Sequence, residues 1–256
     1  ICLIMGCMTP AERASAVAFA LKNCALEAMT PGEATMRAAA AYERGLKPVT
    51  HLIDVADEQT AMRLRAAADP AGKDRLAAGS LDDHATDRAD AVFARTVLLA
   101  ERRWNPSGDL DELTAIHKGL FEGVFEDAGK LRPSNPTREV TNDRARAANP
   151  EAFFPAGLIE TGAHNIAMEL ADKRNLHALD RDVFVHAFAS IYDELGYLHP
   201  FRGGNAMVLR IFGSRLAHDA GWDLDWGSVT REEYRSAKHS AYRGDTSALE
   251  TMFDAI

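Results

Sequence analysis

Cysteine is scarce in this 256-residue chain: Cys2, Cys7 and Cys24 are the whole complement, and all three fall in the first tenth. A disulfide framework needs pairs spread across the fold, so the chain reads as a protein of a reducing, cytoplasmic compartment. The cysteines lack metal-site spacing, and His117, His164, His177, His186 and His218 form no HExxH or paired-ligand pattern. Basic residues are outnumbered, 29 Lys+Arg against 38 Asp+Glu, for a net charge of −9. A sequence-tolerant nucleic-acid binder needs a basic face to meet phosphates, so nucleic acid is excluded as a general partner; one local basic pocket is not. Long apolar runs are missing too. The start, ICLIMGCM, is too short to span a bilayer and has no basic leader, so no membrane partner is expected. Residues 1–8 read as a tail, with Met8-Thr9-Pro10 as a native start. Strands do not alternate with helices, which argues against a doubly wound α/β fold, and no G-x-S-x-G, Walker A or G-x-G-x-x-G motif occurs.

What the chain does have is helix-forming residues. Hydrophobic residues make up 46%, enough for a real core, and the length suits one large domain or two small ones. Alanine, leucine, arginine and glutamate dominate, so the fold class is all-α. Thr9-Pro10 reads as a cap and first turn, followed by a helix through Met29 that buries Val17, Leu21 and Cys24. Two further helices are expected up to residue 66. Residues 67–87, rich in Asp, Gly and Pro, read as a linker. From residue 88 the pattern predicts helices to Trp104, over 109–128, 158–173, 180–197, 204–220, 230–243 and 245–255. Residues 132–154 hold no helical stripe, and their prolines and TREV run suggest a loop with a small β-hairpin.

The chemistry concentrates in His199-Pro200-Phe201-Arg202-Gly203-Gly204-Asn205-Ala206, running into Met207-Val208-Leu209-Arg210. One helix ends before this segment and another starts near Gly204. The first turn of a helix offers unpaired N–H groups and a positive dipole end, and glycines let an anion approach them. Asn205 can donate to the same anion, and Arg210 lies where its guanidinium can reach an outer phosphate. His199 can take a proton from an attacking hydroxyl. A Gly-Gly-Asn loop also serves as a plain turn, so spacing alone leaves both readings open.

The segment HPFRGGNAMVLR resembles the active-site loop of the Fic (filamentation induced by cAMP) domain family, whose pattern is H-P-F-x-(D/E)-G-N-G-R-x-x-R. The stretches LTAIHKGLFEGVFEDAGKLR, FFPAGLIETGAHNIAMELA, GWDLDW and REEYRSAKHSAYRGDTSALETMF resemble other parts of bacterial FicT-type toxins, so the resemblance covers roughly residues 90–255. It implies a Fic-type helical fold over 88–256 that transfers AMP from ATP, with Mg²⁺, to a hydroxyl of a target protein, bacterial topoisomerases being candidates. His199 becomes the catalytic base. Gly203, Gly204, Asn205, Ala206 and Arg210 become the phosphate-binding set, and Thr137, Arg138, Glu139 and Val140 a flap that docks the target by strand addition.

Three positions depart from the pattern: the acidic metal ligand is Gly203, the second loop glycine is Ala206, and the first arginine is Met207. No protein metal ligand is therefore expected in the loop. Losing one electrostatic stabiliser typically costs about 3–4 kcal/mol of barrier. The motif reads as degenerate, with AMP transfer weak, autoinhibited or lost. Residues 9–66 resemble the FicA/VbhA-like antitoxin that accompanies such toxins, whose inhibitory helix has the pattern (S/T)-x-x-x-E-(G/N). Asn23, Glu27 and Ala28 align with it, Glu27 being the residue that would block Arg210. Two other readings stay open beside an autoinhibited enzyme: a non-enzymatic regulator descended from a toxin–antitoxin fusion, and a Fic enzyme with a different donor. An oligomer is compatible with the sequence.

Overall fold

In a computed structural model, residues 8–67, 88–102, 104–135 and 153–256 are described, and they fall in two compact units. The first runs to Arg103 and includes Gly119–Val124; the second holds Trp104–Lys118 and Phe125–Ile256. Among the described residues there is no strand, and no helix is long and apolar enough to cross a membrane. The tail residues 1–7, the linker from 68 to 87 and the expected hairpin, with Thr137, Arg138, Glu139 and Val140, lie outside the described residues.

The first unit contains helices α1 (Pro10–Ala25), α2 (Glu33–Glu43), α3 (Val49–Ala67) and α4 (Ala89–Arg102). Thr9 caps α1 as its sequence suggests: its hydroxyl accepts the Glu12 N–H at 3.2 Å, and the Glu12 carboxylate accepts the Thr9 N–H at 2.6 Å. The buried face of α1 is built from small residues, Ala16, Val17, Ala20 and Cys24, which lets α4 pack closely. Leu21, expected on that face, is exposed. The sequence division assigns α4 to the C-terminal domain; it packs instead against α1 and α3. Its Ala89, Ala91, Val92, Phe93 and Ala94 are buried because α1 and α3 together cover more than one of its faces. The buried Asp90 accepts the Gly32 N–H at 2.6 Å and faces the Arg63 guanidinium at 3.1 Å, tying the α1–α2 loop to α3 and α4. A buried carboxylate needs such partners to remain charged.

α1 stops at Ala25, short of the Met29 end expected from sequence. The Met29 N–H bonds to the Cys24 carbonyl and the Ala28 N–H to the Ala25 carbonyl, each at 3.0 Å, the paired bonds of a Schellman turn. Ala28 takes up the left-handed conformation this turn requires, at φ +58°. Glu27 thus sits in the turn past the helix, not within it.

The second unit is organised around α7 (Arg181–Leu198), which packs on α6 (Ile159–Asp172), α8 (Asn205–Asp219) and α10 (Ser247–Ala255), with α9 (Arg231–Ala241) against α10. Phe184, Phe188, Tyr192, Tyr234, Trp226 and Phe253 form its aromatic core, and the Tyr192 and Tyr234 hydroxyls share a hydrogen bond of 2.8 Å. α5 (Leu110–Phe121) begins at the expected place, where Asp109 accepts the Asp111 N–H at 3.0 Å. It ends at Phe121 rather than near 128, because the chain turns through Gly123 at φ +75°. Glu112, buried in its first turn, accepts from the Trp104 indole, the Gly108 N–H (both at 2.8 Å) and the Arg215 guanidinium. That buried pair joins α5 to α8.

Candidate functional site

α7 ends in a residue that leaves helical space abruptly. His199 has φ +44° and ψ +61°, a left-handed backbone that costs an ordinary L-residue about 1–2 kcal/mol. Arg132 holds it there. Its guanidinium donates to the carbonyls of His199 (2.6 Å), Ser134 (3.2 Å), Leu198 (3.4 Å) and Phe154, and its own N–H donates to the Pro200 carbonyl at 2.9 Å. A cation at this end of α7 also meets the negative end of the helix dipole.

The loop is then clamped from two further directions. The Asn205 side chain accepts the Phe201 N–H at 2.9 Å and donates to the Phe201 carbonyl at 2.7 Å. The sequence reading aims this amide at an anion; the structure spends its oxygen and one of its protons on closing the loop. The His117 ring accepts the Gly129 N–H on Nδ1 at 2.8 Å, so its Nε2 carries the proton and donates to the Gly203 carbonyl at 3.2 Å. It also stacks on Phe201 with ring centroids 3.9 Å apart. Burial pushes the His117 imidazole down to about 4, against the opposing pull of that Gly203 hydrogen bond.

α8 starts immediately afterwards. Its N-cap, Gly204, has φ +75°, which is costly for any side chain but glycine, and no side chain caps the first turn. That is the arrangement of an anion cradle. A cleft of about 330 Å³, counting its open mouth, lies at this turn, lined by His199, Phe201, Asn205, Ala206, Leu113 and Lys238 among others. The partly buried His199 ring is stacked on Phe153 at 3.7 Å between centroids. Burial, then the positive charges of Lys238 and Arg132, push its imidazole down to about 3, so it is neutral at physiological pH and able to accept a proton.

The three departures from the loop pattern have distinct physical settings. At Gly203 a Cβ meets nothing within 4 Å, so a carboxylate side chain has room. Ala206 lines the cleft. Met207 is 2% exposed, a core residue of α8. Arg210, expected to grip a phosphate, is fully buried, its guanidinium 4.9 Å from the centroid of the Tyr234 ring. Glu27 is partly buried in the turn after α1, and Asn23 is buried on α1, both in the first unit. Among the described residues no cluster of His, Cys, Asp or Glu suits a metal, and the loop itself offers no carboxylate, so the side chains described do not fit a protein-held Mg²⁺. His117, Arg132, Phe153 and Lys238 are the site residues that sequence reasoning missed. Arg132 and His117 lie in a stretch that resembles the family, but nothing in their spacing distinguishes them from solvated residues.

The fold and loop together define a Fic-type domain. The Fic/DOC family model matches residues 107–217. The chain is 33% identical over 176 residues to the protein adenylyltransferase VbhT of Bartonella schoenbuchensis, covering 68% of this chain and 35% of that protein. It is 33% identical over 147 residues to the probable protein adenylyltransferase Fic of Escherichia coli, covering 57% of this chain and 68% of that protein. Among solved structures, BepC of Bartonella tribocorum with bound AMPPNP superposes with a TM-score of 0.54 at 27% identity, over 64% of this chain and 81% of that one. The chain belongs to the Fic/DOC family. It spans about a third of the length of VbhT.

Proposed function

We propose that this chain is a Fic enzyme that transfers AMP from ATP to a protein hydroxyl and is held down by its own N-terminal helices. The observation that carries the reading is the loop: a neutral His199 fixed in a left-handed turn beside the uncapped first turn of α8, at the edge of an open cleft. In this scheme the target hydroxyl attacks the α-phosphorus of ATP, His199 takes the hydroxyl proton, the P–O bond to the β-phosphate breaks, and pyrophosphate leaves. Phosphates bound at the α8 N-terminus raise the His199 pKa from its low resting value, which improves it as a base. Relatives named protein adenylyltransferases and a similar structure that holds AMPPNP support ATP as donor. Mg²⁺, when bound, neutralises phosphate charge; with Gly203 in the loop it would be held through phosphates and water.

Glu27 is the inhibitory residue in this reading. An acidic residue just past a helix C-terminus faces the negative dipole end, a local cost of about 0.3–1 kcal/mol. The turn supports the antitoxin-like reading of residues 9–66: the family pattern puts Gly or Asn where Ala28 takes φ +58°. The decisive experiment incubates wild type, Glu27→Gly and Glu27→Gly/His199→Ala with ATP labelled on the α-phosphate and a bacterial lysate. Label on a protein band in the Glu27→Gly sample, lost with His199→Ala, is the expected result; absence of any His199-dependent label refutes the enzymatic reading. Gly203 and the buried Met207 favour a second reading, a nucleotide-responsive regulator without turnover, in which ATP binds but no label transfers.

A further inference from the structure

We propose that Lys238, on α9, is the cation that meets the phosphate chain of a nucleoside triphosphate beside His199. The inference rests on the nucleotide reading above and adds a residue to it. A triphosphate at the α8 N-terminus brings about four negative charges, and backbone N–H groups alone offset only about half a charge. A cation at the cleft is therefore needed, and among the described residues that line it Lys238 carries a positive charge. The position of the first family arginine is Met207, 2% exposed in the core. Arg210 is fully buried against Tyr234. The Arg132 guanidinium is committed to four carbonyls around the end of α7. Lys238 lines the same cleft as His199, Asn205 and Ala206.

Its setting suits the task. The ammonium lies 5.2 Å from the Tyr234 ring centroid and 5.8 Å from that of Tyr242, so two aromatic faces steer the side chain. The Tyr242 phenol, also hydrogen-bonded to Lys238, is pushed up by burial and stays a neutral hydroxyl. The charge acts on His199, whose low pKa owes part of its depression to Lys238, with Arg132 the other contributing cation and Asp193 an acidic neighbour acting on Tyr242. An ammonium is a compact point charge on a long stem, able to follow a phosphate chain without bidentate geometry.

The test measures binding of ATP and of inorganic tripolyphosphate by calorimetry to the full chain carrying Glu27→Gly, alone and with Lys238→Met or Lys238→Arg. Histidine NMR titration of each variant serves as a second readout. Lys238→Met is expected to weaken both ligands about 10–100-fold, the size of one lost charge-assisted contact, with Lys238→Arg recovering most of it. The His199 pKa is expected to rise in Lys238→Met and to stay low in Lys238→Arg, a response that a loss of packing alone would not sort by charge. Binding by Lys238→Met as tight as by its parent overturns the role of Lys238 and leaves the nucleotide reading standing. If the parent binds neither ATP nor tripolyphosphate, the nucleotide reading and this inference both fall.

Discussion

Replacing Arg132 with Met should cost the second unit about 3–4 kcal/mol and loosen the loop from His199 to Gly204 with it. The thioether keeps most of the buried volume of the arginine stem, so the loss is polar. The His199 carbonyl loses a charge-assisted bond of 2.6 Å, worth about 1.5–3 kcal/mol. The carbonyls of Ser134, Leu198 and Phe154 lose further donors, and the α7 terminus loses a favourable charge worth up to about 2 kcal/mol. These terms overlap, because one relaxed loop lets water reach several carbonyls at once. For a unit of this size, about 2–4 °C per kcal/mol converts the loss to a fall of roughly 10 °C in melting temperature. Differential scanning calorimetry reads it directly. Arg132→Lys keeps the dipole term and one donor and should recover about half, a share set by the 0.3–2 kcal/mol range of a terminal cation. A melting temperature for Arg132→Met within about 2 °C of wild type, where no more than about 1 kcal/mol is lost, would refute the clamp.

Gly203→Asp or Gly203→Glu should fold like the parent, since the new Cβ meets nothing within 4 Å, and should make ATP binding in the Glu27→Gly background dependent on Mg²⁺; calorimetry with and without EDTA checks it. Ala28→Gly should stabilise the first unit by about 1 kcal/mol, because glycine occupies φ +58° without the Cβ penalty, as urea unfolding would show. Glu112→Ala should destabilise by about 3–5 kcal/mol, leaving the Arg215 guanidinium with only the exposed Asp219 carboxylate, again by urea unfolding. Stability should fall as pH drops from 6.5 toward 5: His199 and His117, pushed down to about 3 and about 4 in the fold, stay neutral there while the unfolded chain takes up protons. The double variant His117→Gln/His199→Gln should flatten that slope.

Helix positions were legible in the sequence because apolar spacing and caps are local. Thr9 with Pro10 starts α1 where their side chains predict, and α5 starts within a residue of the expected place. Helix ends were less legible. α1 stops at Ala25 because Ala28 adopts a left-handed conformation that alanine does not advertise, and α5 stops at Phe121 through Gly123 within an apolar pattern that otherwise continues. α4 carries no sign of which unit will cover it; a helix buried on several faces looks the same wherever its partners come from. Within the site, His199, Gly204 and Asn205 were marked by their motif, though Asn205 turns its amide onto the Phe201 backbone instead of outward. Arg132, His117 and Lys238 reach the loop from 67, 86 and tens of residues away in sequence, and such convergence is a property of packing that spacing does not encode.

The loop is more heavily supported than a connection between two helices requires. A simple turn of this length needs a glycine and solvent. Here the nearly fully buried Arg132, a buried histidine of fixed tautomer and an asparagine closed on its own loop hold four of the five residues from His199 to Gly203, and each buries polar groups at a cost. Such support has a physical return only if the exact path of the backbone matters, as it does when N–H groups at the start of α8 must converge on an anion. The departures, by contrast, sit where they leave that path intact: Gly203 is open, Ala206 faces the cleft, and Met207 is absorbed by the core. The changes therefore alter what the cradle offers a phosphate without dismantling the cradle. A backbone path kept in this way while its side chains change is the pattern that the proposed nucleotide site requires.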